Sequence, residues 1–264
     1  IKAELRARTD EAAAAAVFGV PTFIHGDTRV WGQDRLVVLA HALGGPRIDP
    51  LRPVSGTWPP PVGPMRVQFF HDFASPFSYL AATQVADVCA RAGATLEPMP
   101  MLLGALFRDI GTPDVPLFEM HAAKQAWVRR DLDDWAAVWG VPVRFPTRFP
   151  IRTVLPLRVA IAEPAAAAPI YRAAWVLDEA IAEPDVLARV LDEAGLPGRA
   201  LIERAAADDV KATLRHNTEH ARELGVCGAP CFVVHRPGRS PAVLWGQDRI
   251  GMLAAMLTGF DLPD

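Results

Sequence analysis

Phe69-Phe70-His71-Asp72-Phe73-Ala74-Ser75-Pro76-Phe77-Ser78-Tyr79-Leu80 is the stretch on which the reading of this chain turns. It starts inside Arg66-Val67-Gln68-Phe69-Phe70, a short β-rich run closed by polar residues, which reads as a strand. Ser75 is a preferred N-cap residue and Pro76 a preferred first helical residue, so a helix opens there. It is expected to run to about Arg91 and to stop at Gly93.

Downstream, Ala94 to Pro98 reads as a second strand. The region from about Leu102 to Ala206 has little strand character and reads as helices at His121–Trp139, Ala165–Ala182 and Asp185–Ala194, with Gly195 as a C-cap. Asp208 can cap a further helix to Leu224. Pro230–His235 and Ala242–Trp245 read as a hairpin, followed by a last helix from Gln247. The order is strand, helix, strand, helical insertion, hairpin and helix. The expected fold class is α/β, a thioredoxin-like sheet with a large all-helical insertion at about 100–206.

The hairpin is written twice. Leu5-Arg6 and Thr9 lead into Val17-Phe18-Gly19-Val20-Pro21-Thr22-Phe23, and Leu214-Arg215 and Thr218 lead at the same spacing into Val226-Cys227-Gly228-Ala229-Pro230-Cys231-Phe232. Each copy then reaches Trp-Gly-Gln-Asp-Arg, at Trp31–Arg35 and Trp245–Arg249. Motif and spacing together signal duplicated structure. Residues 1–45 are therefore expected to be the C-terminal fragment of a duplicated thioredoxin-like domain. Residues 46–64, with seven prolines in nineteen positions, form an extended linker, and 65–264 the main domain. The complete protein would be a tandem of two such domains.

Composition narrows the partners. A net charge of −3 with interspersed signs gives no basic stripe for phosphates, which argues against nucleic acid. The longest near-apolar stretch, Ala12 to Ile24, is too short for a membrane span and is broken by Gly19 and Pro21. Three cysteines in 264 residues make no disulfide framework, so a soluble, reducing, cytoplasmic setting is expected.

With these elements in place, the opening stretch resembles the first motif of the 2-hydroxychromene-2-carboxylate isomerases, relatives of kappa-class glutathione transferases and of the DsbA-like superfamily. Further matches are Leu102–Phe107, Gly111-Thr112-Pro113, Lys124, Asp131-Leu132, Val141-Pro142, Phe149-Pro150 and the closing proline and Trp-Gly-Gln-Asp-Arg elements. The resemblance spans about Arg66 to Leu257.

It implies that Ser75, at the helix start where a redox relative carries cysteine, donates a hydrogen bond to the sulfur of glutathione and lowers its pKa. Pro76 and Phe77 would border the same cofactor. Pro230 would be cis, with the backbone of Ala229 pairing with the cysteinyl unit like an added strand. Gln247 and Asp248 would hold the γ-glutamyl end, and Lys124 would reach the tripeptide. Thr112 stands where the family's transferases have asparagine, a departure at the ligand. The implied activity is glutathione-dependent cis-trans isomerisation of an aromatic or conjugated carboxylate, in aromatic compound catabolism. A kappa-like transferase is the alternative enzyme, and a non-catalytic binding module the alternative of another class. The resemblance also implies a dimer, formed by two chains or within one tandem chain.

Other residues invite different readings. Cys227 and Cys231 suggest redox or metal chemistry, but their counterparts Phe18 and Thr22 favour packing. His216 and His220 have a zinc-compatible spacing without an evident third ligand, so no metal is expected. His71 either contacts substrate or simply ends a strand. Trp127, Trp135 and Trp139 form either core or the wall of a substrate cleft.

Overall fold

The computed structural model describes residues 1–45, 51 and 63–260. The linker expected at 46–64 lies, apart from Leu51, Gly63 and Pro64, outside the described residues. The chain forms two compact units, Ile1–Pro50 with Pro116–Gly140, and Leu51–Val115 with Val141–Asp264. The grouping is not sequential, because the helix Ala122–Trp139 belongs with the N-terminal segment.

In the first unit, the helix Lys2–Ala14 leads to an antiparallel hairpin of β1 (Thr22–His25) and β2 (Thr28–Trp31), followed by a 3-10 turn Gln33–Arg35 and the helix Leu36–Ala42. This hairpin packs on the helix Ala122–Trp139, which His121 caps by accepting from the Ala123 N–H. Phe18, Trp31 and Trp127 meet edge to face with centroids 5.3–5.5 Å apart. Arg35 donates two parallel hydrogen bonds, of 2.9 and 2.8 Å, to the carboxylate of Asp131, and its guanidinium lies over Trp127 and Trp135. A flat, delocalised cation suits both the fork and the ring faces.

The second unit is built on a four-stranded sheet in the order β4 (Thr95–Pro100), β3 (Arg66–His71), β5 (Cys231–His235), β6 (Ala242–Trp245). β3 runs parallel to β4 and antiparallel to β5. Both faces are apolar because helices cover both. Phe70, Cys231 and Val233 meet Met101, Leu106 and Ala221 on one face, while Phe69 stacks on Phe232 on the other.

Several boundaries differ from those read from sequence. The helix opened by Ser75 ends at Ala82 and a second runs Val85–Ala92, with Gly93 in the left-handed conformation as expected. At the break Thr83 turns its hydroxyl onto the Leu80 carbonyl, competing with the backbone ladder. The helix expected over Ala165–Ala182 stops at Trp175, where Asp178 takes a positive φ and its carboxylate accepts from the Thr147 N–H. Asp208 is the first residue of its helix, with Ala207 at the cap.

The two hairpin copies share their local geometry. The Val20–Pro21 and Ala229–Pro230 peptides are both cis. Gly32 and Gly246 donate their N–H to the carbonyls of Pro21 and Pro230, each at 3.0 Å. Thr22 pairs with Trp31 as Cys231 pairs with Trp245. The indoles of Trp31 and Trp245 lie over Gly19 and Gly228, leaving no room for a Cβ. Gly32 and Gly246 hold φ of 93° and 107°, which side-chain-bearing residues avoid.

Candidate active site

β3 delivers the chain to a turn, Asp72–Ser75, that long-range contacts fix from every side. Asp72 is fully buried and accepts from the N–H groups of Ala74 at 2.9 Å and Leu103 at 2.8 Å. Burial raises its pKa, and these hydrogen bonds oppose the rise. The Trp175 indole donates to the Phe73 carbonyl at 2.8 Å. His71 is 1 % exposed and shares a 2.9 Å hydrogen bond with the Tyr171 hydroxyl. Burial lowers its pKa to about 3, so it is neutral at neutral pH. It ends β3 as a buried, hydrogen-bonded residue. Tyr79, one turn into the helix, donates to the Pro142 carbonyl at 2.7 Å.

Ser75 sits at the tip of this turn. As the N-cap of the helix Pro76–Ala82, its Oγ accepts from the Ser78 N–H at 3.2 Å. The same hydroxyl donates to the Ala229 carbonyl at 2.8 Å. Its donor and one acceptor position are thus both in use, and the residue is 5 % exposed. Pro76 and Phe77, next in the chain, are half-buried. Ala229 precedes the buried cis Pro230, whose carbonyl receives the Gly246 N–H. The 3-10 turn Gln247–Arg249 packs in turn on the helix that Ser75 caps. Gln247 is buried and Asp248 half-buried, its carboxylate lying over Gly246. The second unit therefore gathers Ser75, Pro76, Phe77, Ala229, Pro230, Gln247 and Asp248 around one helix start.

The other two expected site residues make contacts of their own. Lys124 belongs to the first unit, where its ammonium lies 5.3 Å from the centre of the Trp31 ring. Thr112 ends the helix Leu103–Asp109 by donating its N–H to the Phe107 carbonyl at 2.8 Å, and among the described residues no hydrogen bond joins it to Ser75.

The cysteines are free. Cys231 is buried with its thiol pushed up to about 12 by burial, which suits packing better than nucleophilic attack. Among the described residues no three His, Cys, Asp or Glu side chains converge as a metal site, and no helix is long and apolar enough to cross a membrane. His216 and His220 stack on each other in parallel. Trp135 is buried and stacks on Trp139. Asp72, Tyr171 and Trp175 escaped the sequence reading as parts of the site. The raw signal for Asp72 was its place beside the Ser-Pro turn. Tyr171 and Trp175 lie about a hundred positions away and carry no local signal.

Known proteins give a consistent picture. The 2-hydroxychromene-2-carboxylate isomerase of Sphingobium xenophagum is 26 % identical over 201 residues, covering 72 % of this chain and 97 % of its own length. Human glutathione S-transferase kappa 1 is 25 % identical over 210 residues, covering 74 % and 91 %. A solved 2-hydroxychromene-2-carboxylate isomerase superposes with a TM-score of 0.61 at 24 % identity, over 73 % of this chain and 94 % of its own. The DSBA-like thioredoxin domain profile matches residues 1–44 and 66–258. With most of its length matched, and with the expected order of elements around the Ser75 turn, this chain belongs to the DSBA-like thioredoxin domain family.

Proposed function

We propose that this protein binds glutathione and uses its sulfur, held by Ser75, to isomerise a double bond in an aromatic or conjugated carboxylate. The observation that carries this reading is the pairing of the Ser75 hydroxyl with the Ala229 carbonyl beside cis Pro230. Both groups are preset partners for a cysteinyl unit. On binding, the hydroxyl turns from the carbonyl to the incoming sulfur, and the carbonyl is released to accept the ligand's backbone N–H. The exchange leaves no buried polar group unsatisfied. A hydrogen bond to sulfur favours the thiolate, lowering the thiol pKa.

Bound there, glutathione would supply a nucleophilic sulfur able to add reversibly to a conjugated carbon, free the former double bond to rotate and be regenerated as a cofactor, while Ser75 holds that sulfur by its hydrogen bond. Gln247 and Asp248 are placed in this reading at its γ-glutamyl end, where a carboxylate pairs with an ammonium. Residues 1–45 are read as the C-terminal part of a second, similar domain, supported by the geometry the two hairpins share.

The second reading is irreversible conjugation by the same thiolate. A kappa-class transferase is 25 % identical to this chain, close to the 26 % of an isomerase, which favours keeping it. Incubation with glutathione and 2-hydroxychromene-2-carboxylate, and separately with an electrophilic chlorobenzene, separates the two by product and by whether glutathione is consumed. Ser75→Ala is expected to cut turnover at least a hundredfold in whichever reaction occurs. Calorimetry showing no glutathione binding, with Ser75→Ala indifferent, would instead leave a non-catalytic binding module.

A further inference from the structure

The first unit contains a cleft of about 290 Å³ lined by Ala16, Phe18, Arg29, Ala123, Ala126, Trp127 and Arg130. Its walls are aromatic and small aliphatic side chains, and its two charged groups are both guanidinium ions. Arg29 is half-buried on β2, and its Nε–H is sealed from solvent without meeting an acceptor. Arg130 is exposed on the helix Ala122–Trp139, and its charge acts on Asp134 one turn on, which does not line the cleft.

The internal repeat shows that the hairpin does not require these residues. At the positions of Phe18 and Arg29 the second copy has Cys227 and Val243. The two side chains that build the hairpin side of the cleft are thus features of the first copy alone.

We infer that this cleft binds a planar aromatic carboxylate, with the ring system against Phe18 and Trp127 and the carboxylate between Arg29 and Arg130. Guanidinium forks match carboxylate geometry, and a cleft of this size holds a one- or two-ring molecule. The inference does not rest on the glutathione reading, since every lining residue lies in the first unit.

The test is calorimetric titration of the full chain, without glutathione, with 2-naphthoate and with the neutral 2-naphthylmethanol. Naphthoate is expected to bind at least tenfold more tightly than the alcohol. Arg29→Gln combined with Arg130→Gln is expected to weaken it at least tenfold, while Ser75→Ala leaves it unchanged. Ala126→Phe, a substitution at an exposed helix position that fills the cleft, is expected to abolish binding even if the arginine variants fold poorly. Absence of binding, equal affinity for the alcohol, indifference to Ala126→Phe, or loss of binding in Ser75→Ala would each overturn the inference.

Discussion

The hydroxyl of Ser75 and the carbonyl of Ala229, 154 residues apart in the chain, are joined by a 2.8 Å hydrogen bond. One end of that bond caps a helix and the other precedes a cis proline, so a single contact ties the helix start to the hairpin. Removing the hydroxyl affects both.

Ser75→Ala should therefore destabilise the fold independently of any effect on turnover. Loss of an N-cap costs about 1 kcal/mol, and the Ala229 carbonyl is left without its partner. Urea denaturation should show a loss of about 1–2 kcal/mol, on the same magnitudes. An unchanged midpoint would mean that the hydroxyl caps nothing in solution.

Arg35 and Asp131 should show strong coupling. Their side chains are only 12 % and 2 % exposed. Removing one partner of a buried pair typically costs about 3–5 kcal/mol, because the other charge is stranded. Arg35→Met and Asp131→Asn should each lower the stability of the first unit by several kcal/mol. The double variant should lose much less than the sum of the two. Denaturation followed by tryptophan fluorescence suits this measurement, since Trp127 and Trp135 lie beneath the guanidinium. Simple additivity would show that the two side chains are not energetically coupled.

His71 should make the protein acid-sensitive. Its pKa is lowered from 6.5 to about 3 by burial, so between those values the unfolded chain binds the proton more readily than the folded one. Its contribution is fully present above pH 6.5 and is lost as pH falls through that window, by about 1.4 kcal/mol per pH unit. Asp72 acts in the opposite sense. Its pKa is raised from 3.8, so its own contribution weakens as pH rises through its window. Comparing wild type with His71→Gln isolates the histidine. The variant's stability should vary less steeply between pH 6.5 and 4, and parallel profiles would contradict a buried neutral imidazole.

Gly198→Ala should damage the helical part of the second unit. Gly198 is buried where the helix Gly198–Arg204 meets Pro184–Glu193, and a Cβ would run into the backbone at Ala188. Backbone cannot yield as a flexible side chain can, so a loss of about 1–3 kcal/mol is expected in thermal or chemical denaturation. A neutral result would show that the two helices can slide apart at little cost.

Most of the architecture was legible because it is written in local signals. Strand β3, the Ser-Pro cap, the Gly93 and Gly195 stops and the repeated hairpin each depend on residues close in sequence. Where the reading slipped, a tertiary contact intervened. The helix expected to reach Ala182 ends at Trp175, whose indole is drawn to the Phe73 carbonyl, with Asp178 turned to cap Thr147.

By itself, then, the sequence determined the element order, the thioredoxin-like fold class and the position of the serine at a helix start, since periodicity, capping and turn chemistry act over a few residues. Only the tertiary structure decided what that serine touches, which side chains fix the turn behind it, and that the N-terminal hairpin packs on the helix Ala122–Trp139. Hydrogen bonds and ring contacts between residues about a hundred or more apart have no period and no local composition. They exist only once the chain has folded.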